Sequence, residues 1–470
     1  MIYILYPILL CCLPVHCIYA QNISEFSLKG YLKTLFTVLL ITLIFTGILN
    51  SFTNNINLSC FIFSILFFIF LYGNYVFILI FSEYKRGLKR YQYGFFAFYI
   101  MGALFIAGMI FALFKNINLS GISKVLFYIS LFLNVFLLAD ILQKLSYTNV
   151  KVELEKSRFD KEKIKTLPDI YHIILDSHAG FFHKKYSDEN FKNALLKRGF
   201  CVYENFQSNY NTTSISLPSM LNMEYIANLV KPENGRYLPD MTYPYYANNR
   251  VFSIFKSLGY KFNIFIDAYF YSMLFKHNVN MHISGRVNSL LRVLCFSSLA
   301  GIFYKKSQNL DDTLHHQIKN FQASGINRDE NPSFSYMHIL APHWSYLCDE
   351  NGILIPKKQQ RNLQHFLSYT KYVDKQVIKL IDSILKNKKK NSLIILHSDH
   401  GPLDTHILMA MYLPEGDKDD FISTNSTLVN LYRCIFNKYF NTDYELCEDK
   451  IYKIDNYFKL REVDFDAPSA

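Results

Sequence analysis

The stretch Leu393-Ile394-Ile395-Leu396-His397-Ser398-Asp399-His400-Gly401 joins an apolar run to two residue types that bind metals. A charge-free apolar run of this length is typical of a buried strand in a parallel sheet. In open α/β sheets, ligands bind just beyond the carboxyl ends of the strands, where Asp399 and His400 would lie. Carboxylate and imidazole groups are both ligands of divalent metals. The stretch therefore predicts an α/β domain with a metal-binding site at a strand end.

Other segments of the C-terminal part show the same order, in which an apolar strand precedes polar residues. Asp176 follows the apolar run 170–175, and His338 lies in the run 334–340, which is followed by His343. Helical patterns alternate with the strands, at 189–198, 251–258 and 366–385. Such alternation predicts an α/β domain with a mostly parallel central sheet flanked by helices.

The N-terminal part, up to about residue 145, is much more apolar. Its apolar stretches are each long enough to cross a hydrocarbon core of ~30 Å. They lie at 2–19, 31–49, 58–81, 93–114 and 125–142. The succession predicts an α-helical membrane domain of about five helices over residues 1–145. For the first stretch a cleaved signal peptide is the alternative, although no basic region precedes it.

The remaining boundaries follow from composition. Residues 146–167 mix Lys with Glu and Asp and are predicted to form a charged linker. The α/β domain is then expected over residues 168–470. Within it, the apolar segment 289–304 contains Arg292 and is short for a membrane span, so we expect a core helix or a surface-lying helix there.

The chain carries a formal net charge of +11, which suits an anionic partner. The basic clusters lie at 83–90, 151–165 and 388–390. They lack an arginine-rich helix and interleaved aromatic residues, which argues against nucleic acid and favours acidic lipid headgroups. The nine cysteines have no framework spacing, so a disulfide scaffold is not expected.

The positions of these basic clusters bear on membrane sidedness. The clusters at 83–90 and 151–165 are separated by two apparent spans, so they should share a side. The positive-inside rule then favours the cytoplasm for the C-terminal domain. Long domains, however, cross membranes largely regardless of their charge, and a re-entrant segment would reverse the parity. Charge alone leaves the side open.

The segment 211–220 reads Asn-Thr-Thr-Ser-Ile-Ser-Leu-Pro-Ser-Met and is rich in hydroxyl groups. At a helix start such residues are usually caps. A Thr at a helix N-terminus beside a metal is also well placed to attack phosphorus, because the backbone N–H groups bind anions and the metal lowers the hydroxyl pKa. Asp176 alone would be read as a cap or turn residue, and His343 alone as incidental.

Taken together, these residues predict one site. Asp176, Thr213, Asp399 and His400 would form an oxygen-rich set of four ligands suited to zinc, with His338 and His343 nearby to hold a phosphate.

The order of these residues along the chain resembles that of the alkaline phosphatase/sulfatase superfamily. More closely, it resembles the membrane-anchored phosphoethanolamine and phosphoglycerol transferases, the group that includes lipoteichoic acid synthase. The resemblance implies that Thr213 is the nucleophile and becomes phosphorylated. It also implies that Asp176, Asp399 and His400 bind the metal, which would be zinc, with manganese or magnesium as alternatives. His338 and His343 fall on the substrate-binding histidines of the group.

Two departures from the family pattern matter. The chain has no Cys/Ser-x-Pro-x-Arg motif at Thr213, which makes sulfate ester hydrolysis unlikely. After Asp-His-Gly, the transferases usually carry acidic and Gly/His residues, whereas this chain reads Pro-Leu-Asp-Thr-His over residues 402–406. We expect His406 to substitute for the missing substrate-binding imidazole.

The function implied by the resemblance is transfer of a phosphoethanolamine- or phosphoglycerol-type group. The partners would be a lipid-linked phosphodonor and a cell-envelope glycan or glycolipid acceptor. The expected location is the bacterial inner membrane, with the catalytic domain periplasmic or extracellular. The alternatives are a hydrolase of phosphodiesters, phosphate esters or sulfate esters, and an inactive membrane-anchored binding protein.

Overall fold

A computed structural model of the chain describes most of its residues. They are residues 5–21, 26, 28–81, 113, 119–147, 167–182, 184–267, 280–284, 290–298, 310–327, 330–356, 358–402, 405–415, 417 and 421–463. The chain divides into two compact units. Unit 1 comprises residues 1–148 and 288–308, and unit 2 comprises residues 149–287 and 309–470.

Unit 1 is helical throughout its described part. Its helices are α1 (Tyr6–Gln21), α2 (Leu28–Thr53), α3 (Ile56–Phe81), α4 (Ser120–Tyr147) and α10 (Leu290–Ser297). Helix α2 and residues Ser120–Gln143 of α4 are long and apolar enough to cross a membrane. The basic cluster 83–90, the apolar stretch 93–114 except residue 113, and most of the linker 146–167 lie outside the described residues. The described helices fit a membrane-anchored protein.

Helix α10 is remote in sequence from the other helices of unit 1. Its Leu290 and Leu294 are buried in a cluster with Val15, Phe63 and Ile141. The apolar segment near residue 290 therefore packs with the N-terminal helices. The described part of α10 has eight residues, and the core or surface-lying helix expected for the segment 289–304 stays a prediction.

Unit 2 is built on a seven-stranded sheet in the order β2-β7-β6-β1-β5-β3-β4. The strands are β1 (Asp169–Leu175), β2 (Cys201–Val202), β3 (Lys261–Asp267), β4 (Asn280–Ser284), β5 (Ser333–Ile339), β6 (Ser392–His397) and β7 (Met409–Tyr412). Strand β1 pairs in parallel with both β5 and β6, and Ile174 stands opposite His338 on one side and His397 on the other. This register aligns the carboxyl ends of the three central strands.

Helices cover both faces of the sheet. They are α5 (Glu189–Lys197), α6 (Thr213–Asn222), α7 (Ile226–Leu229), α8 (Pro239–Ala247), α9 (Arg250–Ser257), α11 (Leu310–Asn320), α12 (Phe366–Asn387) and α13 (Leu428–Phe440). Side chains of β1 alternate between two hydrophobic clusters: Ile170 and Ile174 lie in one, Tyr171 and Ile173 in the other. Burial on both faces explains why the strands are almost continuously apolar. The predicted fold class is confirmed.

The structure also contains strands that the sequence did not predict. Strand β7 runs antiparallel to β6, and β4 extends the opposite edge of the sheet. Strands β8 (Ile451–Ile454) and β9 (Leu460–Val463) form a separate antiparallel hairpin. Strand β2 has only two residues, Cys201–Val202, because it lies at the sheet edge and, among the described strands, pairs only with β7.

The central strand β6 allows a test of this core. Ile395 is fully buried in the cluster that contains Ile170 and Ile174. We expect Ile395→Ala to lower the free energy of unfolding of unit 2 by about 2–5 kcal/mol, through lost burial and a residual cavity. Lys386→Ala, on an exposed position of α12, should change it by no more than about 0.5 kcal/mol. Thermal unfolding followed by near-ultraviolet circular dichroism measures both, and equal midpoints would contradict the described core.

Candidate metal centre and nucleophile

Two carboxylates meet at the carboxyl ends of the central strands. Asp176 follows β1, and its backbone N–H donates to the Ile339 carbonyl of β5 at 2.9 Å. Asp399 follows β6 and is fully buried. Its Oδ1 accepts hydrogen bonds from the backbone N–H groups of Ser177, at 3.1 Å, and His400, at 3.0 Å. Backbone groups of both strand ends thus hold the Asp399 carboxylate in place.

The imidazole of His400 completes a compact group with these carboxylates. Its Nε2 lies 3.8 Å from Asp176 Oδ1 and 3.7 Å from Asp399 Oδ2. One ligand atom from each residue lies within 4.8 Å of the others. The structure therefore brings together three of the four metal ligands that the sequence predicts.

The donor atoms of this group are those that a divalent metal needs. Asp176 Oδ1 and Asp399 Oδ2 are buried and receive no hydrogen bond from the described residues. His400 Nδ1 donates to the Gly401 carbonyl at 2.8 Å, so neutral His400 carries its lone pair on Nε2. Buried carboxylate oxygens without a donor are costly unless a cation compensates them. The residues present fit a divalent cation bound by two carboxylates and an imidazole.

The pKa values of the two carboxyl groups are shifted in opposite directions. Burial raises the pKa of Asp176 well above its ordinary value, and the neighbouring Asp399 charge raises it further. Burial also acts to raise the pKa of Asp399, but His400 and His338, helped by Thr213 and the Ser177 N–H, hold it below its ordinary value. Two carboxylates this close repel when both are charged, and a bound cation would relieve that repulsion.

Thr213 is the first residue of α6 and is half-buried. It lines a cleft of about 560 Å³ together with Asp176 and His400. The remaining lining residues are Asn211, Thr212, Ser214, Tyr243, Leu340, His343, Trp344, Ser345 and Tyr369. Hydrogen bonding by the Thr213 side chain helps to lower the pKa of Asp399, and Thr213 shares the cleft with Asp176 and His400.

The two histidines associated with β5 differ in position. His338 is fully buried, with Nε2 3.7 Å from Asp176 Oδ2, and burial lowers its pKa to about 4. His343 lines the cleft, and burial lowers its pKa too. Its Nδ1 donates to the Trp344 carbonyl at 2.7 Å, which leaves the lone pair on Nε2. Both rings are therefore neutral near pH 7.

His406 lies in a different environment. Its ring stacks on that of Phe182, with the centroids 4.1 Å apart, and its backbone bridges to Gln207. It is not among the described residues that line the cleft. The substrate-binding role expected for His406 stays a prediction.

Several residues that sequence reasoning missed support the centre. Ser216, one turn into α6, donates from its hydroxyl to the Asp399 carbonyl at 2.6 Å and thereby joins the helix to the loop after β6. Ser398 donates in the same way to the His178 carbonyl at 2.7 Å. His178 Nε2 lies 2.8 Å from Asp374 Oδ1 on α12, and both side chains are buried. For Ser216, Ser398 and His178 the only sequence signal was their position near Thr213, Asp399 and Asp176; for Asp374 there was none.

A buried chain of hydrogen bonds lies behind the Asp399 loop. His397 Nδ1 donates to the Ser398 carbonyl at 2.9 Å, so its Nε2 accepts from His172 Nε2 at 2.6 Å. His172 Nδ1 must then accept from the Tyr432 hydroxyl at 2.6 Å. Each member is satisfied in one tautomer, which orients the strand end that carries Asp399.

The chain is similar to solved structures that include a phosphoethanolamine transferase. The C-terminal periplasmic domain of EcEptC from Escherichia coli, in complex with zinc, has a TM-score of 0.42 and 17% identity, covering 65% of this chain and 94% of that chain. The soluble domain of lipooligosaccharide phosphoethanolamine transferase A from Neisseria meningitidis has a TM-score of 0.40 and 11% identity, covering 62% and 90%. No curated protein sequence is significantly similar to the chain.

A family model provides the classification. The model described as Sulfatase matches residues 168–423, which is more than half of the chain. The match begins at the strand that leads to Asp176 and extends past Asp399 and His400. It confirms the resemblance to the sulfatase superfamily that the motifs indicate. The chain is a sulfatase-like enzyme and belongs to the sulfatase family.

Proposed function

We propose that this enzyme transfers a phosphoethanolamine- or phosphoglycerol-type group from a lipid donor to a cell-envelope glycan or glycolipid, through phosphorylated Thr213. The observation that carries the proposal is the position of Thr213, at the start of a helix, in a cleft that it shares with Asp176, His400 and His343. The proposed nucleophile, two of the candidate metal ligands and a further imidazole therefore line one cleft.

The start of α6 offers a site for the phosphate. Thr212 is the N-cap residue and makes no side-chain capping hydrogen bond. The backbone N–H of Ile215 donates to the Thr212 carbonyl at 3.3 Å, which leaves the N–H groups of Thr213 and Ser214 for phosphate oxygens. The helix dipole favours negative charge there. A phosphodiester bound at this end would place its phosphorus beside the Thr213 hydroxyl.

Asp176, Asp399, His400 and the Thr213 hydroxyl would hold a divalent metal. Zinc is the identity that this mixed oxygen and nitrogen set favours, with manganese or magnesium as alternatives. When bound, such a metal lowers the pKa of a coordinated hydroxyl and offsets the charge of phosphate oxygens.

His343 and His338 would take part in proton transfer and in phosphate binding, respectively. Neutral His343 can take a proton at Nε2, because its Nδ1 proton is held by the Trp344 carbonyl. It would therefore accept the proton of the incoming acceptor hydroxyl. Neutral His338, beside Asp176, would act as a hydrogen-bond partner of the bound phosphate rather than as a positive charge.

The lining of the cleft supports a phosphodiester substrate. No Lys or Arg is among its described lining residues. A phosphodiester carries one negative charge, whereas a phosphomonoester carries nearly two at pH 7 and calls for more compensation. Tyr243, Tyr369 and Asn211 offer the aromatic and polar surface on which a glycan acceptor can pack.

The apolar helices of unit 1 support a lipid donor, because a membrane anchor keeps the enzyme at the surface where lipids are found. We infer that the enzyme resides in the bacterial inner membrane with unit 2 on the periplasmic or extracellular side. Two reporters fused to the carboxyl terminus test this orientation: a phosphatase that is active only outside the cytoplasm, and a reporter that is active only inside it. Activity of the second reporter alone would reverse the proposed orientation.

The metal assignment predicts a loss of metal on substitution of Asp176. We expect Asp176→Asn to weaken zinc affinity by more than about tenfold, because even the loss of an outer-sphere partner costs that much. Asp382→Asn, which removes a half-exposed carboxylate paired with Arg198, should leave the affinity unchanged. Equilibrium dialysis with elemental analysis measures both. Equal zinc contents in the two variants would remove Asp176 from the ligand set.

The nucleophile assignment predicts the fate of the hydroxyl at position 213. Thr213→Ala should lower turnover by about 10³-fold or more, because the covalent intermediate can no longer form. Thr213→Ser keeps the hydroxyl and should retain part of the activity and the phosphorylated residue. Mass spectrometry of acid-quenched enzyme locates the phosphate. Full activity in the Ala variant would rule out the proposed intermediate.

The choice between transfer and hydrolysis depends on the acceptor. With membrane vesicles that contain donor lipid and glycolipid, we expect a glycolipid gaining one phosphoryl-linked group for each donor consumed. Mass spectrometry of the extracted lipids measures this ratio. Donor consumption with release of the water-soluble group alone would make the enzyme a hydrolase with the same nucleophile.

A further inference from the structure

A loop between β5 and α12 exposes a group of apolar side chains. We name residues 344–356 and 358–363 the docking loop. Trp344 is 51% exposed, Ile353 67%, Leu354 63% and Leu363 40%. Burial of such side chains is the usual outcome of folding, and several exposed on one loop mark an interaction surface.

The loop holds these side chains outward by its own structure. Its two arms pair through the Ile355 N–H, which donates to the Leu347 carbonyl at 2.8 Å. The side chains of Leu347 and Ile355 are buried in the core of unit 2. Asp349 Oδ1 accepts from the backbone N–H groups of Asn351 and Ile353, each at 2.9 Å, and so closes the tip. Ile353 and Leu354 therefore stand on an anchored hairpin.

Basic residues accompany the apolar ones. The guanidinium of Arg361 lies over the Trp344 ring, 4.5 Å from its centre, and Lys358 is exposed nearby in sequence. The loop also contains acidic groups, but Glu350 pairs with Lys371 at 3.5 Å and the Asp349 carboxylate caps the tip. Aromatic, aliphatic and basic side chains in this combination suit the boundary of an anionic bilayer.

We propose that the docking loop inserts its apolar side chains into the surface of the membrane, with Arg361 and Lys358 against anionic headgroups. We choose a bilayer as the occupant because the chain contains helices able to span one and because the loop combines apolar with basic side chains. Trp344 belongs to both the loop and the lining of the cleft, so docking would open the cleft toward lipid headgroups. The contact itself does not depend on the chemistry proposed for Thr213.

Trp344 is the only tryptophan of the chain and reports directly on this contact. The full chain is reconstituted in bilayer nanodiscs that contain anionic lipid, with and without bromine on the acyl chains. Docking predicts a blue-shifted Trp344 emission that brominated lipid quenches, in the absence of any substrate. Equal emission in the two nanodiscs would overturn the proposal, and so would emission that shifts only when another protein is added.

Charged substitutions at the tip of the loop provide a second test. The double variant Ile353→Asp/Leu354→Asp should reduce the quenching to less than about half, because burying carboxylates in the bilayer is unfavourable. Tyr457→Asp is the matched control, since Tyr457 is 75% exposed in the turn between β8 and β9. Undiminished quenching in the double variant would place Trp344 in the bilayer without the loop tip and contradict the proposal.

Two readouts separate this proposal from the proposed function. Circular dichroism and zinc binding show whether the double variant is folded. If it is not folded, the quenching of wild-type Trp344 emission alone decides whether the loop contacts the bilayer. Quenching without any transferase activity would support the docking loop and reject only the proposed chemistry. Activity on the lipid donor without quenching would support the proposed function and reject the docking loop.

Discussion

The closeness of two buried carboxylates is the constraint on which the centre of this enzyme depends. Asp176 and Asp399 are 3% and 0% exposed, and both approach the same imidazole nitrogen of His400. Repulsion between them must be offset by groups of opposite sign. Backbone N–H groups satisfy Asp399 Oδ1, but Asp399 Oδ2 and Asp176 Oδ1 receive no hydrogen bond from the described residues. The folded chain thus builds most of a cation site and leaves the remaining charge to the cation.

Parallel strand pairing creates this closeness. Because β1 lies between β5 and β6, residues from three distant segments of the chain end at one edge of the sheet. Helix α6 is joined to that edge by the bond from Ser216 to the Asp399 carbonyl, which brings Thr213 to the carboxylates. The buried hydrogen bonds from Tyr432 to His172 and from His172 to His397 orient the end of β6. The proposed nucleophile lies at the start of a helix, and the candidate metal ligands lie directly after central strands.

Local patterns predicted the central elements well. The strand expected at 170–175 is Asp169–Leu175, and the helix expected at 366–385 is Phe366–Asn387. Runs of apolar residues and helical periodicity are local properties, so they can be read without knowledge of the fold. Short strands such as β7, which has four residues, were not predicted because their formation depends on the strands to which they bond. Helix α10 illustrates the same limit, since its apolar pattern shows that it is buried but not against which helices.

By itself, the sequence determined the fold class, the order of the motifs and the residue types able to bind a metal and attack a phosphorus. Only the tertiary structure decided which side chains meet. It brought Asp176, Asp399, His400 and Thr213 together, placed His343 in the cleft and His338 beside Asp176, and stacked His406 on Phe182. It also revealed Ser177 and Ser216 as supports and Trp344 as a shared residue of cleft and surface. Side-chain distances between remote segments are set by strand register and helix packing, and no local pattern contains them.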